Sequence, residues 1–155
     1  MALKADLEGE VSKIFRAAWE ERDGIVVPGD ASLKLGNDGI NLEAAVLYAD
    51  LADSTDMVDK QPPKLAAEVY KAFLYSAAKV IRSEGGEITA YDGDRIMAVY
   101  IGDYKNSAAA RSALRINWAV KSIVQPALEG VMNFRPDLVP WRNEKTQTLP
   151  NGCIG

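Results

Sequence analysis

Two strand-like stretches, each leading to an aspartate, constrain the fold of this 155-residue chain more than any other feature. The first is the apolar run Ala44–Ala49, which ends on Asp50 and is followed by small and polar residues and then by a helical pattern. The second, Glu87–Tyr100, has the pattern of two short strands joined by an Asp-Gly hairpin that ends at Asp94. If these strands are neighbours in one sheet, we expect Asp50 and Asp94 to lie side by side at its edge.

A turn suited to phosphate binding is predicted directly after the first aspartate. Leu51–Thr55 connects a strand to a helix start, and the backbone N–H groups at such a junction can hold phosphate. Two carboxylates beside this turn provide the oxygen ligands that a hard divalent metal prefers. The pattern therefore favours a site for a metal ion and a nucleoside triphosphate. Asp50 alone would more often be a solvated residue at a strand end than a metal ligand.

The composition excludes several kinds of catalysis and partner. The chain contains no histidine and a single cysteine, Cys153, which excludes histidine general bases, Ser-His and Cys-His nucleophile pairs and an intramolecular disulfide. The net charge of −4 argues against a nucleic-acid-binding surface, since phosphate contacts need clustered lysine and arginine. No apolar run is long enough to cross a bilayer, and the N-terminus lacks a signal-peptide pattern. We therefore expect a cytoplasmic protein without a nucleic-acid or membrane partner.

Residue periodicity predicts an α+β fold. Strands are expected at Ala44–Ala49, Glu87–Tyr91 and Ile96–Ile101, with a further strand beginning at Cys153–Gly155. Helices are expected at Leu3–Arg22, at Lys64–Ser83 after a short turn at Thr55–Asp59, and from Asn106 or Ser107 to Val124, with a further piece to Phe134. Ile25–Pro28 is expected to be extended, and loops are expected at Gly29–Gly39 and Arg135–Asn151. This order of elements is that of a ferredoxin-like or palm-like antiparallel sheet with helices on one face.

Four segments, taken in order, resemble the catalytic domain of class III nucleotide cyclases. In that family an apolar strand ends in Asp-Ile/Leu-x-Gly-Phe/Ser-Thr, and the corresponding segment here is Asp50-Leu51-Ala52-Asp53-Ser54-Thr55. A long helix then leads to Gly85-Gly86, a hairpin with Gly93-Asp94 precedes an apolar strand, and an alanine-rich helix follows from Ser107. The resemblance runs from about Glu43 to Val124. It implies two parts, an N-terminal helix and lead-in at residues 1–42 and the N-terminal part of a cyclase domain at residues 43–155.

The resemblance implies that Asp50 and Asp94 are the catalytic carboxylates and hold two Mg²⁺ or Mn²⁺ ions, with the Leu51 carbonyl as a further ligand. One ion would activate the substrate 3′-hydroxyl and the other would hold the triphosphate, giving a 3′,5′-cyclic monophosphate and pyrophosphate. Phosphoryl transfer needs positioning and charge neutralisation more than a protein base, which suits a histidine-free site. The predicted phosphate-binding residues are Ala52, Asp53, Ser54 and Thr55, together with Arg95 unless strand alternation points its side chain away.

The base-reading positions implied by the resemblance are Ala90 and Tyr91. Adenylate cyclases usually carry lysine at the position of Ala90 and guanylate cyclases carry glutamate, and alanine can read neither purine edge. Tyr91 would offer a hydroxyl or a stacking face. With the segments Asp23–Pro28 and Leu47–Thr55, this pattern is similar to that of the bacterial pyrimidine cyclases of anti-phage defence. The similarity implies UTP or CTP as the substrate and a role in antiviral signalling.

The chain also departs from the family pattern. Asp53 stands where the family usually has glycine, and it brings a negative charge near the expected phosphate unless it faces away or binds metal indirectly. The family's transition-state asparagine and arginine act across a homodimer interface and belong to a region after residue 155. We therefore expect a truncated domain that lacks its C-terminal strands, is inactive alone, and comes from a homodimeric parent protein.

Three alternative assignments stay open on the sequence. A diguanylate-type cyclase is one, because Ser83–Ile88 faintly resembles its Gly-Gly-Asp/Glu-Glu-Phe hairpin, although the acidic-aromatic ending is missing. An adenylate or guanylate cyclase is the second. The third is a degenerate cyclase-like domain used only for binding or dimerisation, and the presence of both Asp50 and Asp94 argues against it.

Overall fold

The computed structural model describes residues 2–134. Its helices are α1 (Ala2–Arg16), α2 (Ser54–Lys60), α3 (Pro63–Ser83), α4 (Lys105–Ala119) and α5 (Gln125–Phe134). Its strands are β1 (Glu20–Asp23), β2 (Asp38–Asn41), β3 (Ala44–Asp50), β4 (Glu87–Asp92) and β5 (Arg95–Ile101). Among the described residues, no helix combines the length and the apolar character that crossing a membrane requires.

The chain forms two compact units, of which the first combines Met1–Ala44 with Ile101–Tyr104. None of the residues of α1 is buried. β1 and β2 form a two-stranded parallel sheet in this unit. Arg22 of β1 donates to the carboxylate of Asp38, whose side chain is only 4% exposed, and this hydrogen bond is the main cause of the lowered pKa of Asp38. The small sheet is therefore joined by an ion pair as well as by backbone pairing.

The second unit contains a three-stranded sheet in which β5 is central, with β3 on one side and the antiparallel β4 on the other. Alternate side chains of β5, namely Ile96, Ala98 and Tyr100, are at most 1% exposed and belong to the hydrophobic core. Residues of α3 and α4 pack against them, so the helices cover this face of the sheet. On the opposite face, which we call the open face, Val46 and Tyr48 of β3 are exposed.

The sequence of α3 accounts for where the helix begins and for which of its sides is buried. Pro63 occupies the first turn, where its missing N–H has no intrahelical partner to lose. An apolar residue then recurs at every fourth position and is buried: Leu65, Val69, Phe73, Ala77 and Ile81. From Val69 onward this stripe belongs to the same hydrophobic core as the buried side chains of β5.

The end of α3 is a Schellman motif. The N–H of Gly86 donates to the carbonyl of Ile81 at 3.0 Å, and the N–H of Gly85 donates to the carbonyl of Arg82 at 3.2 Å. Gly85 has φ 79°, which L side chains rarely adopt. A Cβ at Gly86 would lie 2.5 Å from Cζ of Tyr100, so the chain passes very close to β5 here. The Gly-Gly pair is thus a helix C-terminus and differs from the hairpin expected of a diguanylate-type cyclase.

α4 and α5 are connected through a π-helical turn at Val120–Val124. The N–H of Gln125 donates to the carbonyl of Val120, one residue further back than in an α-helix. Pro126, which cannot donate a backbone hydrogen bond, follows at once. The helix end predicted at Val124 is therefore a change in the hydrogen-bond pattern before the proline, and helical structure continues to Phe134.

The N-terminal prediction is wrong beyond Arg16. The helix expected to reach Arg22 ends at Arg16, and β1 follows. Ile25–Pro28, expected to be extended, belongs to no helix or strand of the described chain. β2 begins at Asp38, inside the segment expected to be a loop. All residues of β1 are charged and exposed, so the strand has no apolar alternation that a sequence pattern could reveal. The loop predicted at 135–151 and the strand predicted at 153–155 lie outside the described residues.

Candidate active site

The end of β3 meets the start of β5 at one end of the sheet. Asp50 is the last residue of β3, and Arg95 is the first residue of β5. Nη2 of Arg95 donates to Oδ2 of Asp50 at 3.2 Å, and each side chain is about half exposed. Two segments that are far apart in the sequence thus bring charged groups of opposite sign together at the surface.

The β4–β5 hairpin places two further aspartates beside Arg95. Asp92 lies directly opposite Arg95 in the antiparallel register, and Gly93 and Asp94 form the two-residue turn between them. Gly93 has φ 60°, whereas the φ of Asp94 is not positive, which matches the glycine-first pattern of a type II′ turn. The hairpin lies where the sequence predicts one, but its two turn residues are Gly93-Asp94 and not the Asp92-Gly93 pair of the predicted Asp-Gly signal.

Three carboxylates act on the Arg95 guanidinium. The pKa of Arg95 is raised above its ordinary value, chiefly by the hydrogen bond to Asp50 and then by the charge of Asp50, with smaller contributions from Asp92 and Asp94; desolvation opposes these effects. Because Coulomb interactions weaken with distance and are screened by water, such contributions require nearby charges. Asp50 contacts this guanidinium and Asp94 directly precedes Arg95 in the chain, so the two predicted metal ligands lie at the same end of the sheet.

A β-bulge determines which face of the sheet the predicted base-reading residues occupy. The register of β4 shifts by one residue between Ile88 and Ala90. After the shift Ala90 lies opposite Met97, and Tyr91 lies opposite the buried Ile96. Since side chains directly opposite each other share a face, Ala90 lies on the open face and Tyr91 on the face that the helices cover. Tyr91 is nevertheless 53% exposed, because it is close to the end of its strand.

The turn after β3 depends on an unusual backbone conformation. Asp53 has φ 56° and ψ 27°, which is left-handed, and no other non-glycine residue in the described chain has a positive φ. The N–H of Met57 donates to the carbonyl of Asp53 at 3.0 Å, which begins α2. The N–H groups of the first helical turn, starting at Ser54, have no acceptor inside the helix. Within the described chain the Asp53 side chain makes no capping hydrogen bond to them.

The residues between Asp50 and Asp53 differ in exposure. Leu51 is 5% exposed and belongs to the core, so its backbone carbonyl is the group with which it can bind a ligand. Ala52 is exposed, as is Thr55 in the first turn of α2, while Ser54 is half-buried. The turn thus presents backbone groups and one exposed hydroxyl to the surface next to Asp50.

The donor groups of this region fit a metal ion that arrives with a phosphate ligand. Among residues 2–134, no three side chains of histidine, cysteine, aspartate or glutamate are grouped as metal ligands. Asp50 and Asp94 with the Leu51 carbonyl would therefore provide only part of a coordination shell. Mg²⁺ usually binds to proteins in this way, through one or two carboxylates and the phosphates of a substrate. The residues do not fit a closed, all-protein metal cage.

The sequence analysis missed the pairing of Arg95 with Asp50 and the position of Asp92 opposite Arg95. Strand alternation alone left the direction of the Arg95 side chain undecided. A usable signal was present in the run Asp92-Gly93-Asp94-Arg95, because a two-residue turn makes its flanking residues cross-strand neighbours. The contact with Asp50 had no such signal, since it depends on which strand lies beside β5.

Comparison with curated proteins identifies the relatives of this chain. It is 48% identical over 127 residues to a uridylate cyclase of Xanthomonas perforans, covering 81% of this chain and 55% of the relative. It is 51% identical over 130 residues to a uridylate cyclase of Burkholderia cepacia, covering 83% and 57%. The chain is a homologue of bacterial uridylate cyclases. A third, from Rhodovulum sp. (strain MB263), is 34% identical over 129 residues, covering 83% and 54%. The resemblance to nucleotide cyclases is thereby confirmed.

The chain spans about half the length of the curated relatives it matches. No family model matches the sequence. Among solved structures, a bacterial light-regulated adenylyl cyclase has a TM-score of 0.51 and 23% identity, covering 53% of this chain and 24% of the other. A second solved structure of a bacterial light-regulated adenylyl cyclase has the same TM-score. At this identity the likeness shows the fold alone, and it confirms the predicted α+β fold.

Proposed function

We propose that the chain forms the metal-binding and triphosphate-binding part of a nucleotide cyclase that converts UTP, or CTP, to its 3′,5′-cyclic monophosphate and pyrophosphate. The observation that carries the proposal is that Asp50 forms an ion pair with Arg95, the residue that directly follows Asp94, so that both aspartates lie at one end of the sheet. This geometry occurs in a homologue of proteins named uridylate cyclases, which favours UTP over CTP. In the reaction the 3′-hydroxyl oxygen loses its proton to solvent and attacks the α-phosphorus, and the bond between the α-phosphorus and the leaving pyrophosphate breaks.

Two Mg²⁺ or Mn²⁺ ions would be held by the carboxylates of Asp50 and Asp94 and by the carbonyl of Leu51, which are all hard oxygen ligands. When bound, the metal would neutralise triphosphate charge and lower the pKa of the 3′-hydroxyl. The part of the protein is to hold the two carboxylates at the same end of the sheet, Asp50 at the end of β3 and Asp94 in the hairpin turn before β5. This positions the ribose and the phosphates for in-line attack, which is where most of the catalytic advantage in phosphoryl transfer arises.

The turn Ala52–Thr55 would bind the β- and γ-phosphates. α2 has only seven residues, so its contribution is the hydrogen bonds from the N–H groups of its first turn rather than a large helix dipole. The hydroxyls of Ser54 and Thr55 would add donors to the same oxygens. Asp53 begins the helix through its backbone, and its carboxylate would have to stay away from the phosphates.

Base recognition would depend on the open face of the sheet. Ala90 lies on that face and has no polar group, so it leaves room for a base without offering the lysine or glutamate that reads a purine edge. Tyr91 lies on the other face, and its hydroxyl would reach a base only around the end of β4. We therefore propose Ala90 as the lining of the base pocket and Tyr91 as a contact from its edge.

We further propose that the active unit is a homodimer and that its product acts in antiviral signalling in the cytoplasm. The region that matches this chain makes up 55% of the Xanthomonas perforans relative, so groups that stabilise the transition state need not lie in this chain. The antiviral role is supported by the motif Leu47–Thr55, which is similar to that of the pyrimidine cyclases of anti-phage defence.

Triphosphate binding tests the proposed site without requiring turnover. The chain is titrated calorimetrically with each of the four ribonucleoside triphosphates and Mn²⁺, and we expect UTP to bind most tightly. Asp50→Asn and Asp94→Asn should each weaken Mn²⁺–UTP binding by at least about tenfold, since even groups that only support a metal ligand contribute that much. Asp59→Asn is the matched control, because it removes an exposed aspartate of α2 outside the proposed site.

The proposal is contradicted if the Asp50→Asn variant binds Mn²⁺–UTP as tightly as the Asp59→Asn control does. Turnover is then examined in a chimera that continues this chain with the C-terminal part of the Burkholderia cepacia relative, and mass spectrometry identifies the product. We expect cyclic UMP from UTP in the chimera and none in its Asp50→Asn form. A different cyclic nucleotide as the main product would correct the substrate and retain the reaction.

A further inference from the structure

Arg95 is a positive charge built into the group of carboxylates that we propose as the metal site. Its Nη2 lies 3.2 Å from Oδ2 of Asp50, Asp92 lies opposite it across the hairpin, and Asp94 precedes it directly. A guanidinium and a divalent metal ion both favour carboxylate oxygens. Arg95 and the metal ion would therefore bind to the same group, the Asp50 carboxylate.

Simultaneous binding of both cations to Asp50 is unfavourable. A Mg²⁺ or Mn²⁺ ion at about 2.1 Å from a carboxylate oxygen would bring two positive charges next to the guanidinium. The Arg95 side chain is about half exposed and follows a hairpin turn at the surface, so it can rotate away without disturbing the core. A released guanidinium next to this site has a suitable new partner, the triphosphate, which it can contact with two parallel hydrogen bonds.

We propose that Arg95 is a displaceable counter-ion of Asp50. It compensates the charge of the three aspartates until a divalent metal binds, and it then leaves Asp50 and contacts the phosphates of the nucleotide. The inference rests on the proposed metal and triphosphate site. The new element is that Arg95 and the metal ion compete for the Asp50 carboxylate, which would not be the case if Arg95 only bound phosphate.

Replacement of Arg95 by glutamine separates the two roles. Without nucleotide, Arg95→Gln should bind Mn²⁺ about tenfold more tightly than wild type, because the charge that opposes the ion at a solvent-exposed site is gone. With UTP present, the same variant should bind Mn²⁺–UTP more weakly, since the phosphate contact is lost. A merely structural role of Arg95 would weaken both kinds of binding, and a phosphate contact alone would leave the affinity for free Mn²⁺ unchanged.

Electron paramagnetic resonance of Mn²⁺, with and without UTP, measures both affinities on the complete 155-residue chain. The control Arg82→Gln makes the same change in net charge. Arg82 is an exposed residue in the last turn of α3. The chain continues from there to the start of β4, whereas the proposed site lies at the other end of β4, next to the hairpin turn. We expect this control to retain the wild-type Mn²⁺ affinity. Asp50→Asn should bind Mn²⁺ weakly whether or not Arg95 is present.

Each outcome decides the inference. Tighter Mn²⁺ binding by Arg95→Gln but not by Arg82→Gln supports it. Equal Mn²⁺ affinities of wild type and Arg95→Gln overturn it, and the proposed function still stands if Asp50→Asn loses Mn²⁺. No Mn²⁺ binding by any of these chains, either with or without UTP, overturns both. If Arg95→Gln does not fold, Mg²⁺ should still shift the Nε–H resonance of Arg95 in the wild-type chain, and an unshifted resonance overturns displacement.

Discussion

At the scale of single residues, Asp53 shows a conflict between conformation and charge. Its φ of 56° is left-handed, a conformation that costs residues with a Cβ roughly 1–2 kcal/mol and that aspartate tolerates better than most. The cyclases that the chain resembles usually have glycine here, which would take this conformation freely. Asp53 keeps the turn but adds a negative charge beside the proposed phosphate site. The left-handed backbone conformation is thus what the turn requires at this position.

Substitutions of Asp53 test this explanation. We expect Asp53→Ala to lower the free energy of unfolding by about 1 kcal/mol, because alanine has a Cβ and no polar group to support a positive φ. Asp53→Gly should remain within about 0.5 kcal/mol of wild type, since the relief of strain is offset by the greater flexibility of the unfolded chain. Urea unfolding measures both variants. An alanine variant as stable as the glycine variant would show that the left-handed backbone does not constrain this position.

The sequence predicts a residue's role when the residues that define it are close in the chain. An apolar run ending on Asp50 and an Asp-Gly pair are local signals, and both produce the expected strand end and hairpin turn. The partner of Arg95 is not local, because it depends on which strand lies beside β5. The same holds for Tyr91, whose face of the sheet depends on a one-residue bulge that cross-strand pairing determines.

At the scale of elements, one carboxylate connects α3 to α4. Glu84, which follows α3 directly, has a side chain only 7% exposed. Nε of Arg111 donates to Oε2 of Glu84 at 2.8 Å, and Arg115 forms an ion pair with its Oε1. The pKa of Glu84 is lowered, mainly by the hydrogen bond from Arg111, while desolvation acts in the opposite direction. The carboxylate therefore stabilises the packing of the two helices only while it is ionised.

The lowered pKa of Glu84 predicts how its contribution varies with pH. Since the folded pKa is below the ordinary value of 4.5, the folded chain binds this proton less readily than the unfolded chain, and protonation favours unfolding. The stabilisation is complete above pH 4.5 and is lost as the pH falls through the lowered pKa. We expect Glu84→Gln to lower the urea midpoint near neutral pH, and its difference from wild type to shrink steadily in acid.

The matched control for this measurement is Glu87→Gln, which removes an exposed carboxylate at the start of β4. It should change the urea midpoint little at any pH, as surface substitutions usually do. If the urea midpoints of Glu84→Gln and wild type differ by the same amount in acid as near neutral pH, the interaction of the two arginines with Glu84 does not depend on its charge. The packing of α3 on α4 would then rest on apolar contacts alone.

Helices and strands with an apolar periodicity of their own were predictable from the sequence. A strand that exists mainly through pairing with another strand was not. α3 repeats a buried apolar residue every fourth position, and β5 is a nearly continuous apolar run, so both were expected close to their observed bounds. β1 contains only charged residues and exists through its pairing with β2 and the ion pair of Arg22 with Asp38. A pattern of apolar residues cannot indicate such a strand, whatever its period.

At the scale of the whole molecule, buried apolar side chains are unevenly distributed. The buried core residues, from Leu47 to Ile116, all belong to the second unit. Among residues 2–44 whose burial is described, none is buried as a whole. α1 illustrates this, because its apolar residues recur at helical spacing and are nevertheless exposed: Leu3, Leu7, Val11, Ile14 and Phe15. Since burial of apolar surface is the main favourable term in folding, the first unit should open more easily than the second.

Native-state hydrogen exchange measures this difference for each backbone amide. We expect the amides of α1 and β1 to be at least about a hundredfold less protected than those of α3 and β5, because local opening there exposes little apolar surface. The comparison is made within one sample, so protein concentration and pH are the same for both units. Equal protection of α1 and β5 in dilute protein would contradict the explanation. Protection of α1 that rises with protein concentration would instead show that association of the chain covers its apolar residues, since binding stabilises the bound form by mass action.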